Sequence, residues 1–165
     1  MPDKSPNLHM LCGKIAAGKS TLAADLAGSP ETVLIAEDDW LNALFADELV
    51  SLPDYVRCSS KLRRIMAPHV AALLNAGVSV VLDFPANTFE QRRWMRRILE
   101  QTTAAHQLHL LDVSDKVCLA RLRERNSRGD HPFAVTDAQF HQFNNHFAAP
   151  TPDEGFNVVR HEDGG

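Results

Sequence analysis

"GKIAAGKS", Gly13 to Ser20, decides the fold of this chain. It satisfies G-x-x-x-x-G-K-[ST], the glycine loop whose backbone N–H groups cradle nucleotide phosphates. Such a loop works only between a strand and a helix, and its flanks supply both. "LHMLC" (Leu8 to Cys12) is a short apolar run that stops at Gly13, as a buried strand does. "KSTLAADLAG" (Lys19 to Gly28) is rich in helix formers and closes at Gly28, with Pro30 just beyond. Residue types then assign the chemistry. Gly13 and Gly18 let the backbone turn its N–H groups inward, and Lys14, Ile15, Ala16 and Ala17 complete the cradle. Lys19 reaches the β and γ oxygens as a point charge, and Ser20, followed by Thr21, offers a hydroxyl to Mg²⁺.

Outward from the loop, strand and helix signals alternate. Apolar or β-branched runs lie at Thr32 to Ala36, Val78 to Phe84, Gln107 to Val113 and Phe156 to Arg160. Helical stretches run from Pro53 to Ala76, Thr88 to Ala105, Asp115 to Asn126 and Asp137 to Phe147. Pro68 is expected to end or kink the first of these. This alternation predicts an α/β fold, a parallel sheet with helices on both faces. No repeat or linker divides the 165 residues, so one domain is expected, with mobile ends at 1–7 and 161–165.

Composition excludes several classes. Hydrophobic residues make up 44% and charged residues 23%, a soluble profile, and no apolar run approaches the roughly 20 residues that span a bilayer. A formal charge of -4 disfavours a general nucleic-acid coat. Cys12, Cys58 and Cys118 are odd in number and widely spaced, which predicts buried free thiols and a cytoplasmic location. The eight histidines are scattered, and the five-residue spacing of His141 and His146 predicts solvent-facing side chains, not a metal pair.

The terminal phosphate can go to water or to a hydroxyl. The third strand run ends at Asp83, a carboxylate suited to Mg²⁺, but Phe84 and Pro85 follow it where many motors carry a water-polarising glutamate. Transfer to a hydroxyl needs a carboxylate near the acceptor, and ligands gather at the carboxyl ends of parallel strands. Glu37, Asp38 and Asp39 stand at the end of the second strand run. Asp38 is the better base candidate; Asp39 is either a substrate contact or the N-cap of a helix starting at Trp40. A cationic lid spans about 125–136. There Arg125 and Arg128 match the phosphate charge of a transition state, while Arg123 reads as a solvated side chain.

The stretches "GKIAAGKST", "EDDW", "VVLDFPANTFEQRRW" and "RLRERNSRG" resemble the small P-loop kinases, among them polynucleotide 5′-kinases and chloramphenicol phosphotransferases. Gluconate kinases and zeta toxins are more distant relatives. The resemblance spans about Leu8 to Arg160 and implies a P-loop NTPase fold with sheet order 2-3-1-4-5, a helical lid, and ATP with Mg²⁺ as donor. It maps the base to Asp38 and the lid arginines to Arg125 and Arg128, and places "APTPDEGF" near the adenine edge. Leu41 stands where polynucleotide kinases carry a 3′-phosphate-binding arginine.

On the acceptor side, Trp40, Phe45 and Tyr55 are candidate pocket walls, Arg63 a candidate anion contact, and Asn87 a candidate partner for a substrate hydroxyl. Arg92, Arg93, Arg96 and Arg97 read as a solvated basic face. The expectation is a single-domain kinase that phosphorylates a small hydroxylated molecule. A 5′-hydroxyl polynucleotide or nucleoside kinase is the first alternative, and a nucleotide-binding switch or slow ATPase the second.

Overall fold

The computed structural model describes residues 5–129 and 135–162. Five strands, β1 (Asn7–Cys12), β2 (Thr32–Ala36), β3 (Ser79–Pro85), β4 (Ala105–Asp112) and β5 (Val158–Glu162), form one sheet in the order β2-β3-β1-β4-β5. Every neighbouring pair is parallel, which matches the expected order. Parallel neighbours need crossovers, and these are α1 (Lys19–Ala27), α2 (Glu37–Phe45) with α3 (Leu52–Asn75), α4 (Phe89–Leu99), and α5 (Asp115–Arg128) with α6 (Asp137–Asn144). Asn7, His161 and Glu162 belong to strands, so the ordered chain extends past the expected mobile ends there. The remaining terminal residues, 1–4 and 163–165, and lid residues 130–134 lie outside the described residues.

The two sheet faces are buried by different partners. Leu8, Met10, Val80, Leu82, Phe84 and Leu108 pack against Leu62, Met66 and Val70 of α3 and Met95 and Ile98 of α4. On the opposite face Leu11 and Val81 meet Ala23 of α1. Burial on both sides explains why β3 reads as a continuous apolar run instead of an alternating one.

Three local expectations are corrected. α3 runs unbroken through Pro68. The proline is exposed, so the carbonyl of Arg64, which loses its donor, faces water, while Met66 and Val70 stay buried on either side. α2 begins at Glu37 with Ala36 as its N-cap, so Asp39 lies inside the first turn and caps nothing. Arg92 is fully buried, not solvated. Its Nε reaches Glu154 at 2.8 Å, and its Nη1 donates to the carbonyls of Ala86 (2.9 Å) and Ala148 (2.7 Å). Arg96 donates to the Glu154 carbonyl at 2.6 Å and covers the ring of Phe156. Only Arg93 and Arg97 of that cluster are exposed.

The three cysteines are buried and free, and burial pushes the Cys12 thiol up to about 11. His141 and His146 are exposed as expected, but His9, His106, His109 and His161 are not. His9, His109 and His161, on adjacent strands β1, β4 and β5, form a row with nitrogen contacts of 3.1 and 2.9 Å. His109 is buried, and burial, with the charges of His9 and His161, lowers its pKa to about 4.

Candidate active site

The glycine loop joins β1 to α1 and is held from three sides. Gly13 is closely packed, since a Cβ there would lie 3.2 Å from Cβ of Leu111 and would push that side chain back. Its N–H donates to Oδ1 of Asn87 at 2.9 Å. Asn87 thus braces the loop, and it does not line the acceptor-side cleft described below. Ala17 N–H closes a turn onto the Lys14 carbonyl at 3.1 Å, and Lys14 itself pairs with Asp115 of α5 at 2.6 Å. Ala16 and Gly18 both have positive φ, 63° and 106°. Alternating right- and left-handed residues aim successive N–H groups into one concavity, which is an anion nest at a helix N-terminus. Ser20 and Thr21 follow in the exposed first turn of α1.

Lys19 rests on the Gly13 and Lys14 carbonyls. Burial lowers its pKa, and the charges of Asp83 and Asp38 oppose that shift. Asp83 sits at the carboxyl end of β3, in register with Ala36 of β2, the residue just before Glu37 and Asp38. Burial raises the Asp83 carboxyl, Lys19 lowers it, and Asp38 and Asp39 push it up again. Strand register therefore gathers one lysine and three aspartates beside the loop. Among the described residues no group of three or more His, Cys, Asp or Glu side chains could by itself hold a metal. Ser20 and Asp83 are the residues here that could hold a hydrated Mg²⁺, which keeps several waters and takes one or two protein groups.

Asp38 also borders a cleft of about 330 Å³ lined by Leu41, Asn42, Leu49, Val50, Ser51, Leu52 and Tyr55. Ser51 starts α3 with a capping box, its hydroxyl accepting from Asp54 N–H while the Asp54 carboxylate accepts from Ser51 N–H. That cap fixes the angle of the cleft wall. Asp39 and Trp40 do not line it, nor does Arg63, which borders a smaller cavity with Glu37, Phe84, Pro85 and Gln91 that shares Tyr55 with the cleft. Glu37 is sealed from solvent by hydrogen bonds from Tyr55 (2.5 Å) and Ser59 (2.8 Å), and burial raises its pKa. It is not a base facing the cleft.

Of the expected lid arginines, Arg125 is half-buried on α5, and its Nε is buried without a hydrogen-bond partner among the described residues. Arg128 is exposed and pairs with Glu124 at 3.3 Å. Arg123 is not merely solvated, since it joins α5 to α6 through Asp137 at 2.5 Å. Arg121, on one helical face with Arg125 by its i, i+4 spacing, donates from Nη1 to the Ala17 carbonyl at 3.3 Å and so ties α5 to the glycine loop.

Fold and site together define a nucleotide-binding domain of the small P-loop kinase type. The AAA domain family model matches residues 8–150, and the chain belongs to that family. No curated protein sequence matches it. Several solved structures share the fold. A Chloroflexus aurantiacus protein described as a kinase superposes with a TM-score of 0.73 at 19% identity, over 96% of this chain and 85% of the other. The APS kinase of Mycobacterium tuberculosis, solved with AMPPNP and APS, gives 0.64 at 17% identity, over 97% and 90%. The Pnkp1/Rnl/Hen1 RNA repair complex gives 0.63 at 20% identity, over 86% of this chain but 43% of that one. No described helix is long and apolar enough to cross a membrane.

Proposed function

We propose that this protein is an ATP-dependent phosphotransferase that, with Mg²⁺, moves the γ-phosphoryl group of ATP onto the hydroxyl of a small molecule in the cytoplasm. The observation that carries this reading is the position of Asp38. It borders an acceptor-sized cleft on one side, and its charge reaches Lys19 and Asp83 on the other. The nest from Gly13 to Thr21 would hold the phosphates, and Ser20 and Asp83 the metal. Bound there, ATP supplies the phosphoryl group.

Each side chain then has a task. Lys19 neutralises the β and γ oxygens, and Arg125, with Arg128 beside it on α5, takes up charge on the departing group. Asp38 orients the acceptor hydroxyl and accepts its proton late in a loose transition state, an effect typically worth 10²–10⁴-fold. Asn87 and Arg121 keep the loop in shape. The resemblance to the RNA repair complex would favour a polynucleotide acceptor, but Leu41 in the cleft wall and the absence of any cation among the lining residues count against it.

Incubating the protein with ATP, Mg²⁺ and a panel of alcohols, then finding by mass spectrometry which alcohol gains a phosphate, tests the reading. Asp38→Asn should keep ATP binding and lose transfer by roughly 10²–10⁴-fold. Transfer at the wild-type rate in that variant would place the base elsewhere. Hydrolysis alone across the panel would favour a slow ATPase or switch.

A further inference from the structure

The cleft beside Asp38 is built for one chemical class of acceptor. Resting on the phosphotransferase reading, we infer that the acceptor is an uncharged alcohol with an apolar body, and not a phosphorylated or polyhydroxylated molecule. Five of the eight lining residues, Leu41, Leu49, Val50, Leu52 and Tyr55, present hydrocarbon or ring surface. The polar inventory is short. Tyr55 gives its O–H to Glu37, and the Ser51 oxygen accepts from Asp54 N–H, a bond that does not use the serine's own O–H. Asp38, Asn42 and that O–H remain, enough to hold one or two hydroxyls. A sugar buried here would leave several hydroxyl groups without partners, and each would keep its desolvation penalty.

Charge points the same way. Among the described residues no lysine, arginine or histidine lines the cleft, while Asp38 faces it and Glu37 stands behind Tyr55. An anionic acceptor meets like charge and nothing to neutralise it. Arg63 does not line the cleft; it stands behind Tyr55, the residue shared with the neighbouring cavity, where its charge faces the Glu37 carboxylate. The rim supplies an independent observation. Val50 and Leu52 stand 86% and 60% exposed, an apolar lip at the mouth of the cleft that water covers poorly. A ligand with an apolar body would cover that lip and draw affinity from it, which a sugar could not.

The test uses the full chain with AMPPNP and Mg²⁺, titrated calorimetrically with 3-phenyl-1-propanol, xylitol and ribose 5-phosphate, followed by transfer assays with ATP. The phenyl alcohol should bind, and the other two should bind at least tenfold more weakly. Val50→Asp and Leu52→Asp should each weaken phenylpropanol binding about tenfold, the effect of losing roughly 55 Å² of apolar contact. Both side chains point largely to solvent, so the unfolding midpoint should stay in place. Failure of the phenyl alcohol to bind, tighter binding of ribose 5-phosphate or xylitol, or unchanged affinity in both variants overturns the inference. If phenylpropanol binds as described and yet no alcohol gains a phosphate, the phosphotransferase reading falls while the ligand class stands. If phosphate goes onto ribose 5-phosphate, the reading stands and the inference falls.

Discussion

Glu154→Ala should destabilise the protein more than any surface substitution of similar size. The mutation strips the carboxylate from Arg92, a side chain with no solvent exposure, and leaves its Nε and Nη2 short of their main acceptor. Removing one partner of a buried pair costs about 3–5 kcal/mol, because the remaining charge stays buried and uncompensated. Nη1 keeps the carbonyls of Ala86 and Ala148, so the lower end, about 3 kcal/mol, is the expected loss. In a domain of this size that is a fall of roughly 6–12 °C in Tm, readable by calorimetry or urea titration. Burial alone would push the Glu154 carboxyl up, but the bonds from Arg92 and Thr151 outweigh it and hold the pKa below 4.5. A depressed carboxylate stabilises above its unfolded pKa. The contribution is therefore complete above about pH 4.5 and lost as the pH drops through the lower folded value. Arg92→Met/Glu154→Gln should recover part of the loss, since it removes both charges. A Tm within about 2 °C of wild type for Glu154→Ala would refute the reasoning, as would an additive double mutant.

Lys19→Ala should abolish the ATP-induced rise in Tm. At ligand one hundred times Kd that stabilisation is about 2.7 kcal/mol, or roughly 5–11 °C by thermal shift, and an unchanged shift would sink the loop assignment. Arg125→Ala should slow transfer at least tenfold with ADP affinity within about twofold, because its charge is needed most as the phosphoryl group leaves. Equal losses in ADP affinity and turnover would show a ground-state clamp instead. His109 titrates near 4 in the fold against 6.5 in the unfolded chain, so the unfolded state takes the proton first, and stability is full above about 6.5 and declines toward pH 4. His109→Leu should flatten that stretch of the Tm-against-pH curve, and an unaltered slope would assign the decline to other groups.

What the sequence shows well is what the chain does locally. Each strand buried on both faces leaves an unbroken apolar run, and the spacing from glycine to lysine is dictated by a phosphate, so the parallel sheet and the identity of the loop can be read without coordinates, while the order of the strands came with the resemblance to small P-loop kinases. What it shows poorly depends on partners far along the chain. Nothing in "EQRRWMRRI" separates Arg92 from Arg93, because the difference is a carboxylate 62 residues away. The histidine row is equally invisible, being a product of strand register across β1, β4 and β5. Asp38 could be found from its place after a strand. The cleft beside it could not, since its walls come from α2, the turn before α3 and the first residues of α3 itself. Asn87 was noticed as a polar residue near Asp83, but its bond to Gly13 needs the two loops to be neighbours.

One brace has a consequence for how a lineage of such chains can change. Asn87 holds Gly13 through its side chain and Ala148 through its backbone carbonyl (2.8 Å), and Arg92 holds the Ala148 carbonyl in turn. The phosphate loop is thereby bolted to segments on both sides of it, none of which includes the lip formed by Val50 and Leu52. Inherited variation at that lip falls on solvent-facing residues with little structural duty, whereas variation at the brace is removed by unfolding. On the proposed acceptor reading, descendants of this chain would exchange the molecule they recognise through single substitutions at the lip while the braced loop behind it stays unaltered.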